Sequence, residues 1–167
     1  MAQQTMTEKD SYLANFEREY QTTLKVLRAY PPDQFDFKPT EKNRPARDII
    51  WILTLNQMVI EPTLEMSELK PGGLPQAPKS FPEMLSAFED AHRSSVAKVK
   101  AANDSKLNEM MRMPVGPKQM GDVRRMDALW LFLHDTIHHR GQLSVYVRGC
   151  GGKLPSIYGP TADEPWT

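Results

Sequence analysis

The residues best suited to chemistry lie in one short run, Leu133-His134-Asp135-Thr136-Ile137-His138-His139-Arg140-Gly141-Gln142, which holds three of the four histidines. On a helix, side chains three and four residues apart share a face. His134 and His138 can therefore face one ion, and so can Asp135 and His139. His138 and His139 diverge by about 100° and do not share one. Such an i, i+4 pair is a common first half of a metal site in a helical bundle, completed by facing helices. Two ligands leave a first-row metal short, because catalytic zinc keeps three protein ligands plus water. The run also suits a polar cluster bonded to Arg140 or Tyr146, and spacing leaves both readings open.

Other candidates are sparser. His92 is the one histidine outside the run, either a surface or satisfied neighbour or a third ligand from another helix. Cys150 is the single cysteine, so no intrachain disulfide forms, and Arg148 is the only nearby cation that favours a reactive thiol. Trp51 and Trp130 read as core rather than pocket wall. No glycine-rich phosphate loop, serine elbow or paired-cysteine zinc motif is present.

The elements that must carry the run follow from apolar periodicity and its interruptions. Leu13, Phe16, Tyr20, Leu24 and Leu27 form one stripe, which predicts a helix from about Thr7 to Tyr30, stopped by Pro31-Pro32. Phe35 and Phe37 in the following linker predict that it packs down. A second helix is expected from about Arg44 to Leu69, with Pro45 in its first turn and Pro62 kinking it or ending it near Glu61. Ile49 to Ile60 are apolar nearly all round, so this helix is buried.

Three prolines and two glycines between Lys70 and Pro78 mark a crossing connector. Ser80, Pro82 and Glu83 make a capping box for a third helix reaching about Ala102. Residues Asn103 to Asp122 are irregular, with Met110 to Val115 a candidate extended segment. A fourth helix is expected from Val123 to Arg148, opened by Gly121 or Asp122 and stopped by Gly149, Gly151 and Gly152. Lys153 to Thr167 holds Ile157, Tyr158 and Trp166 among prolines and reads as an ordered strap. Four long helices imply an all-α four-helix bundle, residues 1–167 forming a single domain.

With 167 residues, one domain buries a full core without staples. The 21 basic and 21 acidic residues balance, which argues against a nucleic-acid surface. Met1 to Asp10 is polar and unlike a signal peptide, and no run of about 18 apolar residues offers a membrane span. A cytoplasmic location is expected. Several of the ten methionines should fill the core.

The stretch His138-His139-Arg140-Gly141-Gln142-Leu143 resembles the signature late in the last long helix of DinB/YfiT-like proteins. Ser144 to Arg148 and Gly152 to Pro160 are similar to one subgroup, and Pro45 to Trp51 resembles its second helix. The resemblance implies an antiparallel four-helix bundle, often a homodimer. It also implies a divalent ion, commonly nickel or zinc, held by three histidines, one on the second helix and two on the last.

In this chain the matching positions are His139, Asp135 in place of a histidine, and about Ile52, which cannot ligate. Asn56 or Gln57, one turn on, is a weak third donor. Arg140 and Gly141 read as fold residues, Arg140 reaching a bundle carboxylate and Gly141 admitting a neighbouring helix. Two functions follow as expectations. One is a divalent-metal-dependent hydrolase or thiol transferase with a degraded site. The other is a non-catalytic, stress-associated or small-molecule-binding bundle that has lost its metal.

Overall fold

The structure, a computed structural model, describes residues 6–167. Residues 1–5, the start of the polar stretch read above, lie outside the described residues. Helix α1 spans Glu8–Ala29, opened by a capping box between Thr7 and Asp10. A 3-10 turn, Pro32–Gln34, starts the linker. Helix α2 runs Ala46–Met58 and α3 Ile60–Glu65. Helix α4 is Phe81–Ala101, with the expected Ser80–Glu83 capping box. Helix α5 (Asp104–Asn108) precedes strands β1 (Met110–Gly116) and β2 (Gln119–Arg124), and α6 spans Arg125–Gly149.

The second helix breaks at Met58/Val59 rather than at Pro62 or Glu61. A proline ring collides with the carbonyl four residues earlier, here that of Met58, so the break falls one turn upstream. Pro45 stands just outside α2 as its N-cap residue. The fourth helix opens two residues later than expected, because Val123 and Arg124 belong to β2. β2 pairs antiparallel with β1, Met111 opposite Val123 and Met113 opposite Gly121. Met110 to Val115 is extended as expected; its partner strand, short and rich in polar and glycine residues, carries no alternating signal.

Cross-helix contacts set the topology. Glu8 meets Arg124 at 2.8 Å and Glu19 meets Arg140 at 2.7 Å, so α1 and α6 run parallel. Asn56 meets Asp135 and Arg44 meets Tyr146, so α2 and α6 run antiparallel. Gln57 meets His92 and Glu61 meets Lys98, which makes α2–α3 parallel to α4. Glu17 meets His92 and Lys9 meets Ala102, which makes α1 antiparallel to α4. The bundle is therefore up-down-down-up, which requires the long connectors. The crossing connector is pinned where Trp51 Nε1 donates to Pro75 O at 2.8 Å.

The core has two apolar ends. One holds Leu24, Tyr30, Ile50, Leu53, Phe88 and Leu143; the other holds Tyr12, Phe16, Ile60, Val99, Leu129 and Leu133. Between them, Glu19 and Thr23, Thr54 and Gln57, His92 and Ser95, and Thr136 and Arg140 are all buried, two from each long helix. This polar belt crosses the bundle at one level. Phe35 and Phe37 pack on the first cluster as expected. A Cβ on Gly149 would meet the Phe37 ring at 2.9 Å, so the helix end must be glycine for the linker to pass. Met84, Met111, Met113 and Met126 are core; Met66 and Met110 are exposed.

Candidate functional site

The histidine run lies wholly within α6, and that helix divides it between two sides. Arg140, 1 % exposed, faces inward. Its Nη1 donates to Glu19 Oε2 at 2.7 Å and to Thr23 Oγ1 at 3.3 Å. Its Nη2 donates to the Tyr158 hydroxyl, which itself donates to Glu19 Oε2 at 2.6 Å. The Tyr158 ring also covers the guanidinium, 5.1 Å from its centroid. Burial pushes the Glu19 carboxyl up, but the Tyr158 and Arg140 hydrogen bonds outweigh it and hold the group below its ordinary range. The strap is thus ordered as expected. Asp163 accepts from Leu154 N, and Glu164 accepts from Ser156 N.

Asp135 and His139, one turn apart, lie toward α2. His139 Nε2 is 3.3 Å from Asp135 Oδ2, and Asn56 Nδ2 donates to the same oxygen at 2.8 Å. His139 Nδ1 is 2.9 Å from Gln142 Oε1, and Gln142 Nε2 is 3.0 Å from His138 Nε2. The five side chains form one relay, Asn56–Asp135–His139–Gln142–His138. Asp135 and Asn56 line a cavity of 720 Å³ walled by Val59, Pro62, Leu131 and Phe132. His139 and Gln142 line a second cavity of 550 Å³.

Two proton arrangements satisfy the same heavy-atom positions. In the first, Gln142 accepts from His139 Nδ1–H, and the bare Nε2 confronts the Asp135 carboxylate, which calls for a proton or a cation between them. In the second, the Gln142 amide is turned over. Its NH₂ donates to His139 Nδ1, its oxygen accepts from His138 Nε2–H, and His139 Nε2–H donates to Asp135. That arrangement is complete with neutral rings and no ion.

Of the four candidate ligands, Asp135 and His139 come together. His134 is exposed and stacks on Trp130 at 6.0 Å, while His138 is exposed and bonds Gln142. Neither reaches Arg140 or Tyr146, the partners the polar-cluster reading assigned; Tyr146 donates instead to Arg44 O. Gln57 turns away from the site to His92, which is buried. His92 sits between Gln57 Oε1 at 3.0 Å and Glu17 Oε2 at 2.9 Å, stacked on Tyr20. Burial pushes the His92 ring down from its ordinary value, against the pull of Glu17. Cys150 is half-buried, its thiol donating to Val147 O.

Asn56 supplies the α2 side of the site, one turn beyond Ile52. An amide is a weak donor to zinc or nickel, and among the described residues no three His, Cys, Asp or Glu side chains gather to hold an ion. The donor set therefore does not fit the three-histidine centre that the sequence resemblance implied. Gly141 departs from expectation too: a Cβ there meets nothing within 4 Å, because the residue faces outward and no helix among the described residues approaches. The role of Gln142 was missed, although its spacing of three from His139 and four from His138 could have shown it.

Comparison with known proteins agrees with this architecture. The chain is 25% identical over 158 residues to the uncharacterised protein YrdA of Bacillus subtilis, covering 93% of this chain and 90% of that protein. Among solved structures, a DinB-like protein of B. subtilis, YjoA, superposes with a TM-score of 0.70 at 20% identity, over 88% of this chain and 97% of that one. YfiT of B. subtilis, described as a probable metal-dependent hydrolase with an unusual four-helix bundle topology, superposes with a TM-score of 0.68 at 14% identity, over 90% and 93% of the two chains. The DinB family model matches residues 1–166, and the chain belongs to the DinB family.

Proposed function

We propose that this protein is a small-molecule-binding DinB bundle in which Asp135 is the polar anchor. The observation that carries the reading is the Asn56 amide, which takes the α2 side of the site and donates to Asp135 Oδ2. Both Asn56 and His139 meet Oδ2, so Oδ1 has no protein partner among the described residues. Asp135 borders a cavity of 720 Å³, within the range of small-molecule sites. Its wall is mostly apolar, with Leu69, Leu74 and Met113 besides the residues named above. The ligand class this fits is an apolar body with one hydrogen-bond-donating or cationic group set on the carboxylate. Thermal-shift screening of hydrophobic amines and alcohols against the parent and Asp135→Asn tests the reading. Stabilisation of the parent by an amine, lost in the variant, is expected. Equal shifts in both would refute it.

One observation favours a second reading, a divalent-metal-dependent hydrolase or thiol transferase. The 3.3 Å between His139 Nε2 and Asp135 Oδ2 matches the edge of a tetrahedral site with bonds of about 2.0–2.2 Å. Elemental mass spectrometry of the purified protein, and titration with zinc and nickel, separates the two. Stoichiometric metal that disappears in an Asp135→Ala, His139→Ala double variant would favour the second reading. For assembly we propose a homodimer using the outward face of α6, where Leu131 and Val145 are exposed and Gly141 is open to a close approach. Light scattering at micromolar concentration checks it; a single 19.1 kDa species would refute it.

A further inference from the structure

We infer that the 550 Å³ cavity on the His139 side of the relay is a binding site for a small organic anion, carrying a carboxylate or a phosphate, held by Lys42 and Arg44. This goes beyond the Asp135 reading and does not depend on it. The protein as a whole is neutral, with 21 basic and 21 acidic residues, yet Lys42 and Arg44 line this cavity and no Asp or Glu does.

The nearby carboxylates are engaged elsewhere or stand off. Arg47 takes Asp36 at 2.9 Å and Asp48 at 3.8 Å, and Glu41 is exposed in the same loop without lining the cavity. Among the described residues neither Lys42 nor Arg44 forms an ion pair, so both charges are available to a guest.

The loop that carries them is fixed in advance. Ala46 N donates to Phe37 O at 3.0 Å and Arg47 N to Phe35 O at 2.7 Å. Thr40 Oγ1 donates to Asn43 Oδ1 at 2.6 Å, and the Tyr146 hydroxyl donates to Arg44 O at 3.0 Å. These contacts hold backbone and Asn43 while leaving the two cationic side chains untied, which lowers the ordering cost of binding. Ile49, Val145 and Tyr146 give the cavity an apolar wall for the carbon skeleton, and Gln142 adds an amide. A guanidinium and an ammonium lining one cavity can both make charge-assisted bonds to a bound oxyanion, the guanidinium in two-pronged form. The two cavities flanking the relay thus differ in charge: Asp135, Glu68 and Lys70 line one, and Lys42 and Arg44, without a carboxylate, line the other.

The test is an amide NMR titration of the full chain at constant ionic strength, with inorganic phosphate in one arm and butyrate in the other. Saturable shifts at Asn43, Arg44, Ile49, Gln142 and Val145 in either arm are expected. The arm that responds more strongly identifies the oxyanion. A Lys42→Gln, Arg44→Gln double variant should bind about tenfold more weakly or worse. Both side chains are exposed and carry no structural bond, and an unchanged thermal melt verifies the fold of the variant. The titration reads Lys42 and Arg44 while the amine screen reads Asp135, so failure of this inference and failure of the Asp135 reading are distinguishable. Absence of saturable shifts in both arms, or equal affinity in the double variant, overturns the inference.

Discussion

His139 and Arg140 are consecutive residues of one helix and have opposite fates. His139 is partly open, joined to a relay that borders two cavities, and can be satisfied in two proton arrangements. Arg140 is buried, with Glu19, Thr23 and Tyr158 bonded to its two terminal nitrogens in one arrangement. The difference is the rotation of about 100° per residue along a helix, which turns neighbours in sequence toward different elements. The signature is therefore two devices interleaved: one side ties α6 to α1 and the strap, and the other presents a polar edge to α2 and solvent. The buried half of such a motif ties elements of the fold together, whatever the open half binds.

The comparison breaks most sharply at Arg140. Arg140→Met strands the Glu19 carboxylate in the polar belt and should cost about 3–5 kcal/mol, read by denaturant unfolding. Tyr158→Phe removes one hydroxyl bonded to both members of that pair and should cost about 1.5–3 kcal/mol by the same measurement, with the strap the first segment to lose hydrogen-exchange protection.

The pH dependence is smaller and has a defined sign. His92 is held below its ordinary 6.5, so its contribution is complete above that pH and declines as pH falls below it. Glu19 is held below its ordinary 4.5, so its contribution persists to lower pH and is lost as pH falls from 4.5 through its folded value. Melting temperatures should fall in two stages on acidification. His92→Gln should remove the upper stage, and an unchanged upper stage in that variant would assign it to other groups.

Smallest of all is Asp135→Asn, on the open side of the helix: stability should change by no more than about 0.5 kcal/mol, while amine binding is lost. A loss comparable with that of Arg140→Met would mean the two sides are not separate.

Much of the fold was legible because its signals are local. The stripe from Leu13 to Leu27 and the Ser80–Glu83 box depend only on residues within one or two turns, and α1 and α4 begin and end close to where those signals put them. The hairpin was half legible, since β2 depends on cross-strand pairing with β1 rather than on its own pattern. For the site, the pairing of Asp135 with His139 follows from helical spacing. The choice of Asn56 over Gln57 does not, since adjacent residues on α2 face different neighbours and the register against α6 decides which one arrives.

The sequence by itself determined the helices, their caps and stops, the family signature and the likeness of Arg140 to a buried anchor, all consequences of short-range periodicity and backbone chemistry. Only the tertiary structure decided the up-down-down-up order, the polar belt with His92 in it, the closure of Tyr158 over Glu19 and Arg140, and the arrival of Lys42 and Arg44 beside His139. Those contacts join residues far apart in the chain, and their geometry is set by how four helices and their connectors pack, which no local pattern encodes.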